Sequence, residues 1–317
     1  SGKTYFMFSH TIKEQEQNRN LLKKIIEKKI RLIDYECLTY KNQRIIAFGK
    51  YAGIAGAYNT IIAYGIKNNL FSLKRLNQYK DTEDLYNFTS SFNIKAPIKI
   101  LIIGDGRVAR GAVELLEAFN IKRVSTDDYK VKNFISPVYC QLSVKDYVRK
   151  KDYKDFEQEE YFNFPEQFES NYDQFSSKTD ILINAAYWDP KSPKLFEEDD
   201  LNKSFRAKII GDISCDIDGA IPCTKIASTI AEPFFDYCIS SKKIDKPFSK
   251  VENITIMSID NLPSELPRDS SRYFGEILIQ RILPLFKNDE DGIIEGATIT
   301  KDGILTEKYK YLKNYIS

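Results

Sequence analysis

Apolar residues recur along this chain with two different periods. Within residues 17–29, Leu21, Leu22, Ile25 and Ile26 stand at helical spacing with Lys and Glu on the opposite face, which predicts an amphipathic helix. Residues 30–35 read as a short buried strand, and 43–48 as a second. Residues 51–64 are rich in Gly, Ala and Ile, and predict a helix whose small side chains let another backbone approach closely. The stretch 67–95 is polar and loop-like, with a helix near 81–88. A new unit opens at Pro97. Residues 98–103 are nearly all β-branched or Leu, the pattern of a parallel strand buried on both faces. A glycine turn, an amphipathic helix over 112–119 and a strand over 123–125 complete a βαβ unit, for which a right-handed crossover is expected. Residues 136–178 carry much Tyr, Phe, Asp and Glu without a clear period, and predict an irregular, partly helical insertion. Three more buried strands follow at 180–186, 208–213 and 254–259, then an apolar-faced helix over 272–285 that Pro284 should end.

Composition narrows the class. A chain of 317 residues exceeds the size at which one core stops growing, so two domains are expected. Hydrophobic residues make up 42% and charged residues 29%, which argues against disorder. The formal net charge is +2, spread along the chain without a basic stripe, so no nucleic-acid partner is expected. No apolar run approaches the ~20 residues of a membrane helix and no secretory signal opens the sequence, so no membrane partner is expected and a cytoplasmic location is. Five cysteines lack a C-x-x-C pair and only one His is present, so no metal site is expected and reduced thiols are the plain reading.

Candidate chemistry begins at the glycine turn. Gly104-Asp105-Gly106-Arg107-Val108-Ala109 fits G-x-G-x-x-A between a buried strand and an amphipathic helix. Gly104 allows the tight turn, Gly106 lets backbone approach a pyrophosphate, and Ala109 keeps helix and strand close. With Arg107 and Val108 these residues are the expected dinucleotide cradle, since a helix N-terminus presents free N–H groups to phosphate. The cofactor is then NAD or NADP. Asp127 or Asp128 after the strand over 123–125 suits a ribose hydroxyl, whereas Ser125 and Lys122 suit a 2′-phosphate, and the sequence leaves both open. The fold expected is α/β, a doubly wound parallel Rossmann sheet with a second, incomplete α/β domain. Its expected division is residues 1–95 as substrate domain, 96–250 as cofactor domain with the insertion 136–178, and 251–317 as a return segment packing on the first domain.

The other singular stretch is Ser9-His10-Thr11-Ile12-Lys13-Glu14-Gln15. A lone His is more often structural than catalytic, yet it is the side chain whose ordinary pKa lies near neutrality, and Lys13 and Gln15 add a cation and an amide beside it.

Several strings together resemble the saccharopine dehydrogenase and lysine–ketoglutarate reductase family, relatives of alanine dehydrogenase. They are Phe8-Ser9-His10-Thr11-Ile12-Lys13, Arg31-Leu32-Ile33-Asp34-Tyr35-Glu36 and Ala47-Phe48-Gly49-Lys50-Tyr51-Ala52-Gly53. Further on, Gly211-Asp212-Ile213-Ser214-Cys215-Asp216, Ser258-Ile259-Asp260-Asn261-Leu262-Pro263 and the tail from Ala297 to Tyr311 extend the likeness over nearly all of the chain. The resemblance implies that His10 and Lys13 are catalytic or near the reacting atoms, that Glu36 tunes them, and that Gln15, Arg44 and Asp260 meet substrate. It places Asp212 and Ser214 at the cofactor. It implies an oxidoreductase of lysine and amino-acid metabolism, joining lysine to 2-oxoglutarate as saccharopine or running the reverse, with a small amino-acid or keto-acid substrate in a cleft beside the nicotinamide. An alanine-type or other opine-forming dehydrogenase is the rival enzyme, and a catalytically silent cofactor-binding or regulatory protein the rival class. The family also carries roughly half a domain ahead of this stretch, with a substrate arginine and a catalytic lysine, so residues 1–317 are expected to follow a truncated, cleaved or separate leading segment and to lack full catalysis alone. Self-association into a homo-oligomer stays open.

Overall fold

The computed structural model describes residues 2–201 and 204–317. Two compact units emerge. One joins the described residues up to Ala47 with Ser271–Ser317, and the other runs over Phe48–Ser270.

The larger unit is built on an eight-stranded sheet. Its central strand, Lys99–Ile103, is buried along its whole length. The strand alternates its side chains between two cores, as the two-residue period of a strand requires. Ile100 and Ile102 face a cluster with Ile54, Tyr58, Leu115 and Leu116, while Leu101 and Ile103 face one with Tyr129, Tyr172, Phe175 and Phe205. Ile181–Asn184 pairs parallel on one side and Val138–Leu142 parallel on the other. Beyond Ile181–Asn184 lie Ile209–Asp212 and Ile254–Met257, both parallel, and then the antiparallel pair Phe234–Cys238 and Lys243–Asp245. The expected doubly wound α/β sheet is therefore present, with an antiparallel edge that hydropathy alone did not predict.

Helix Gly49–Lys67 was expected to pack tightly, and it packs backbone to backbone against helix Arg107–Ala118. A Cβ placed on Gly53 would stand 1.9 Å from the carbonyl oxygen of Val108, and one on Gly111 would stand 2.0 Å from that of Lys50. No other residue fits at either position. This contact carries residues 48–95 into the larger unit, so the unit boundary falls at Ala47 rather than near residue 95.

Local departures from the expected elements have local causes. The strand expected over 43–48 is reduced to Gln43–Arg44, paired with Thr39–Tyr40 across the turn at Lys41 and Asn42, both of which have positive φ. The helix expected over 272–285 starts earlier, as Pro267–Ile277, because Pro267 suits a first turn. It then widens into a π turn, Leu278–Ile282, and tightens to a 3₁₀ turn, Leu283–Phe286, where Pro284 denies the α-helix a backbone donor. The region 136–178, expected to be irregular, contributes a central sheet strand, Val138–Leu142, and a small hairpin, Val148–Lys150 with Phe168–Ser170.

The smaller unit is a four-stranded sheet ordered Thr4–Met7, Arg31–Asp34, Thr298–Lys301, Ile304–Leu305. The first two are parallel and joined by helix Glu16–Glu27, which buries Leu22 and Ile25. The third is antiparallel to the second. The return segment thus completes the sheet begun by the first residues. Among the described residues no helix is long and apolar enough to cross a membrane.

Gly53→Ala should destabilise the chain by about 2–3 kcal/mol, because the methyl meets backbone that cannot step aside. That loss outweighs the ~1 kcal/mol Ala gains over Gly in helix propensity. Gly275→Ala, where the added carbon meets nothing within 4 Å, should be neutral or stabilising. Urea unfolding of the two variants against the parent measures both.

Candidate active site

Strand Arg31–Asp34 ends in a single 3₁₀ turn, Tyr35–Cys37, and this turn aims Glu36 across the sheet end. Glu36 lies just beyond the strand, with a side chain only 7% exposed. Its carboxylate collects three partners. His10 Nδ1 lies 2.9 Å from Oε2, while Lys13 Nζ at 3.5 Å and Arg44 Nη1 at 3.3 Å share Oε1. With Nδ1 donating to the carboxylate, His10 presents Nε2 as the ring atom that exchanges a proton. Two cations against one carboxylate leave an excess of positive charge around the imidazole, which suits a carboxylate-bearing substrate. Four of the six catalytic and substrate residues expected from sequence are thus gathered here. Gln15 sits apart, as the N-cap of helix Glu16–Glu27, with its side-chain oxygen accepting from Asn18 Nδ2 at 3.3 Å. Asp260 stands exposed at the turn after strand Ile254–Met257, in the other unit.

The glycine turn lies at the carboxyl end of Lys99–Ile103. Gly104 takes φ +104, a left-handed conformation that favours glycine, and a Cβ there would crowd the backbone of Ala185 and Ala186 at 3.1 Å. Its N–H donates to the Leu142 carbonyl at 2.8 Å, and its carbonyl accepts from Gln141 Nε2 at 3.0 Å. Gly106 is the N-cap of helix Arg107–Ala118, no side chain caps that end, and the space a Cβ would take at Gly106 is open. Arg107 and Val108 form the first turn, and Ala109 is buried beneath it. An open, uncapped helix start above a glycine turn fits a dinucleotide pyrophosphate.

The strand beside the glycine strand is the surprise of this half. The expected partner over 123–125 is the two-residue edge strand Lys122–Arg123, which pairs with Val138–Leu142 and makes no pairing with Lys99–Ile103. Asp127 consequently stands beyond the edge strand, in the first turn of helix Thr126–Val131, 91% exposed and paired with Lys130 at 3.3 Å. The residues that follow the true neighbour are Ser143, Val144 and Lys145. The one carboxylate there, Asp146, is occupied by the Ser143 N–H at 2.8 Å and the Ser143 hydroxyl at 2.7 Å.

Asp212 ends strand Ile209–Asp212 and is fully buried. Asn184 Nδ2 at 2.9 Å and Ser214 Oγ at 2.8 Å donate to one oxygen, and Thr224 Oγ1 at 2.7 Å to the other. Burial pushes its carboxyl up, against the opposing effect of these three hydrogen bonds. These three donors tie it to its own unit, and through Ser214 and Thr224 it braces the loop between them. Cys215 at φ 56 and Asp218 at φ 53 give that loop its tight course. Sequence reasoning missed Asn184 and Thr224; the signal was a polar residue closing an otherwise apolar strand.

Residues 88–314 match the family model described as Alanine dehydrogenase/PNT, C-terminal domain. The chain belongs to that family. The alanine dehydrogenase/PNT match contains the glycine turn, Asp212 and Asp260, while the His10 cluster lies ahead of it. Curated relatives cover the cluster too. Alpha-aminoadipic semialdehyde synthase, mitochondrial, of Mus musculus is 30% identical and takes in 99% of this chain, which spans only 39% of that protein. Saccharopine dehydrogenase [NAD(+), L-lysine-forming] of Candida glabrata is 28% identical over 87% of this chain and 67% of its own length. Among solved structures, L-alanine dehydrogenase shares the fold with a TM-score of 0.59 at 12% identity, over 99% of this chain and 76% of that one. A transhydrogenase from Sinorhizobium meliloti does so with 0.54 at 14%, over 96% and 75%.

Gly106→Ala should leave stability within about 0.5 kcal/mol of the parent, since the methyl enters open space. It should weaken NADH and NADPH binding by roughly tenfold, equivalent to about 1.4 kcal/mol. Thermal unfolding and cofactor titration by fluorescence measure the pair; unchanged affinity would remove the glycine turn from the cradle.

Proposed function

We propose that this alanine dehydrogenase/PNT-family chain is the reductive half of an NAD(P)-dependent oxidoreductase acting on CH–NH bonds. Its reaction is the joining of lysine and 2-oxoglutarate as saccharopine, or the reverse. The observation that carries the reading is the solitary imidazole hydrogen-bonded to a buried carboxylate and ringed by Lys13 and Arg44. The names of the relatives supply the substrate class.

In the forward direction the lysine side-chain amine attacks the keto carbon of 2-oxoglutarate. The carbinolamine loses water to an imine, and reduction of that imine gives the secondary amine. His10 Nε2 takes the proton released as the amine adds and returns one to the departing hydroxyl. Glu36 stabilises the imidazolium formed between those steps, and holds the ring so that Nε2 faces substrate. Lys13 and Arg44 orient the carboxylates, the guanidinium as a two-pronged donor. Gly104, Gly106 and the first turn of helix Arg107–Ala118 would hold the pyrophosphate of a nicotinamide cofactor, which when bound would supply or receive the hydride.

For the cofactor, the reading is NADP. A ribose with free hydroxyls calls for a carboxylate at the end of the strand next to the glycine strand. Here Ser143 and Asp146 are engaged with each other, and the group that end offers is Lys145. An ammonium suits a 2′-phosphate.

In the native polypeptide, NADPH oxidation should require lysine and 2-oxoglutarate together. Turnover with alanine or pyruvate plus ammonia instead would transfer the chain to the alanine-dehydrogenase reading, and cofactor binding without turnover on any amine and keto-acid pair would favour a silent cofactor-binding protein. His10→Ala should lower kcat by about 10²–10⁴-fold with cofactor affinity unchanged. Lys145→Glu should weaken NADPH binding about tenfold or more and leave NADH binding nearly constant, as expected for loss of one phosphate partner. Equal effects on both cofactors would sink the NADP assignment.

A further inference from the structure

We propose that Asp34 is the positioning residue of the proton-transfer cluster, and that it fixes His10 and Glu36 in register through their backbones. The inference deepens the reading of that cluster and rests on it. The Asp34 carboxylate bonds to the backbone N–H of Glu36 and of Ser9, the residue before His10. Its two oxygens hold the two chain segments that carry them.

Oδ1 accepts from the Glu36 N–H at 2.8 Å, which closes the 3₁₀ turn and aims the glutamate. Oδ2 accepts from the Ser9 N–H at 2.9 Å and from the Ser9 hydroxyl. Ser9 Oγ in turn lies 2.8 Å from Thr11 Oγ1 and accepts from the Thr11 N–H at 3.3 Å. Since the single Ser9 proton goes to Asp34, Thr11 is the donor in that pair. Asp34 and Thr11 are fully buried and Ser9 nearly so, whereas the His10 between them is half exposed.

The geometry has a reason. His10 takes φ 52, a left-handed conformation that costs a non-glycine residue roughly 1–2 kcal/mol. Such a residue persists only where its surroundings over-determine it. Here the surroundings are the two anchored neighbours, Ser9 and Thr11, and the anchor is Asp34. The left-handed step turns the imidazole out of the line of strand Thr4–Met7 and toward Glu36. Both Asp34 oxygens accept from Ser9 and Glu36, while His10 Nδ1 bonds to the Glu36 carboxylate. It belongs to no part of the catalytic set expected from the sequence.

The chain contains one histidine, so every imidazole signal belongs to His10. In the full chain labelled with ¹⁵N, the Nδ1 proton held by Glu36 should be visible by NMR and slow to exchange. Asp34→Asn keeps the shape but puts an amide donor against an N–H donor at one of the two segments. It should speed Nδ1 proton exchange by roughly tenfold or abolish the resonance, about the net worth of one hydrogen bond. In the native polypeptide the same change should lower kcat by on the order of ten- to a hundredfold, with cofactor affinity unchanged. Ser9→Ala, which removes only the hydroxyl link, should produce a smaller shift in the same direction. Parent-like Nδ1 exchange in folded Asp34→Asn overturns the proposal. Should that variant fail to fold, parent-like exchange in Ser9→Ala does so instead. Because the resonance is read without substrate, absence of turnover in the parent would count against the enzymatic reading while leaving the positioning role to be decided by exchange alone.

Discussion

Two helices in the larger unit touch through their backbones, and the cofactor end of the sheet depends on that contact. Gly53 meets the Val108 carbonyl and Gly111 meets the Lys50 carbonyl so closely that any side chain would overlap main chain. The contact seats helix Arg107–Ala118 on strands carrying Ile100, Ile102, Ile181 and Ile183, and so fixes where its first turn begins. That first turn is the one whose open N–H groups rise above Gly104 and Gly106. A packing rule, close approach through small residues, therefore sets where the uncapped helix start after the glycine turn lies.

In the smaller unit the same dependence runs through buried carboxylates. Asp34 is spent on backbone and hydroxyl donors, and Glu36 on the cations and the imidazole. Both would be costly in an apolar setting if unpaired. Both lie at the end of strand Arg31–Asp34, so two acids one residue apart divide into one that shapes the loop and one that gathers the imidazole and two cations. Asp212 repeats the first of these roles in the larger unit, where Asn184, Ser214 and Thr224 donate to it.

The sheet order alters how cofactor choice is read. Interposing Val138–Leu142 between the glycine strand and Lys122–Arg123 carries Asp127 away from the strand end that meets ribose in this fold. Linear spacing from the glycine turn singled out that aspartate. Pairing makes Ser143, Val144 and Lys145 the residues that follow the strand beside Lys99–Ile103.

Much of the architecture was legible from hydropathy and turn chemistry alone. The buried run before Gly104, the glycine turn, the amphipathic helices and the small-residue helix Gly49–Lys67 each announce themselves, because their cause lies within a few residues of sequence. The local grouping of His10 with Lys13 was legible for the same reason. What only tertiary structure decided are relations between distant segments. These are the strand that neighbours Lys99–Ile103, the convergence of Arg44 on Glu36, the hydrogen bond of Thr224 to Asp212, and the Asp34 link across 25 residues to Ser9. Periodicity reports which face of an element is buried. It carries no information about which element lies against that face, and those pairings determine whether a carboxylate braces the fold or meets a ligand.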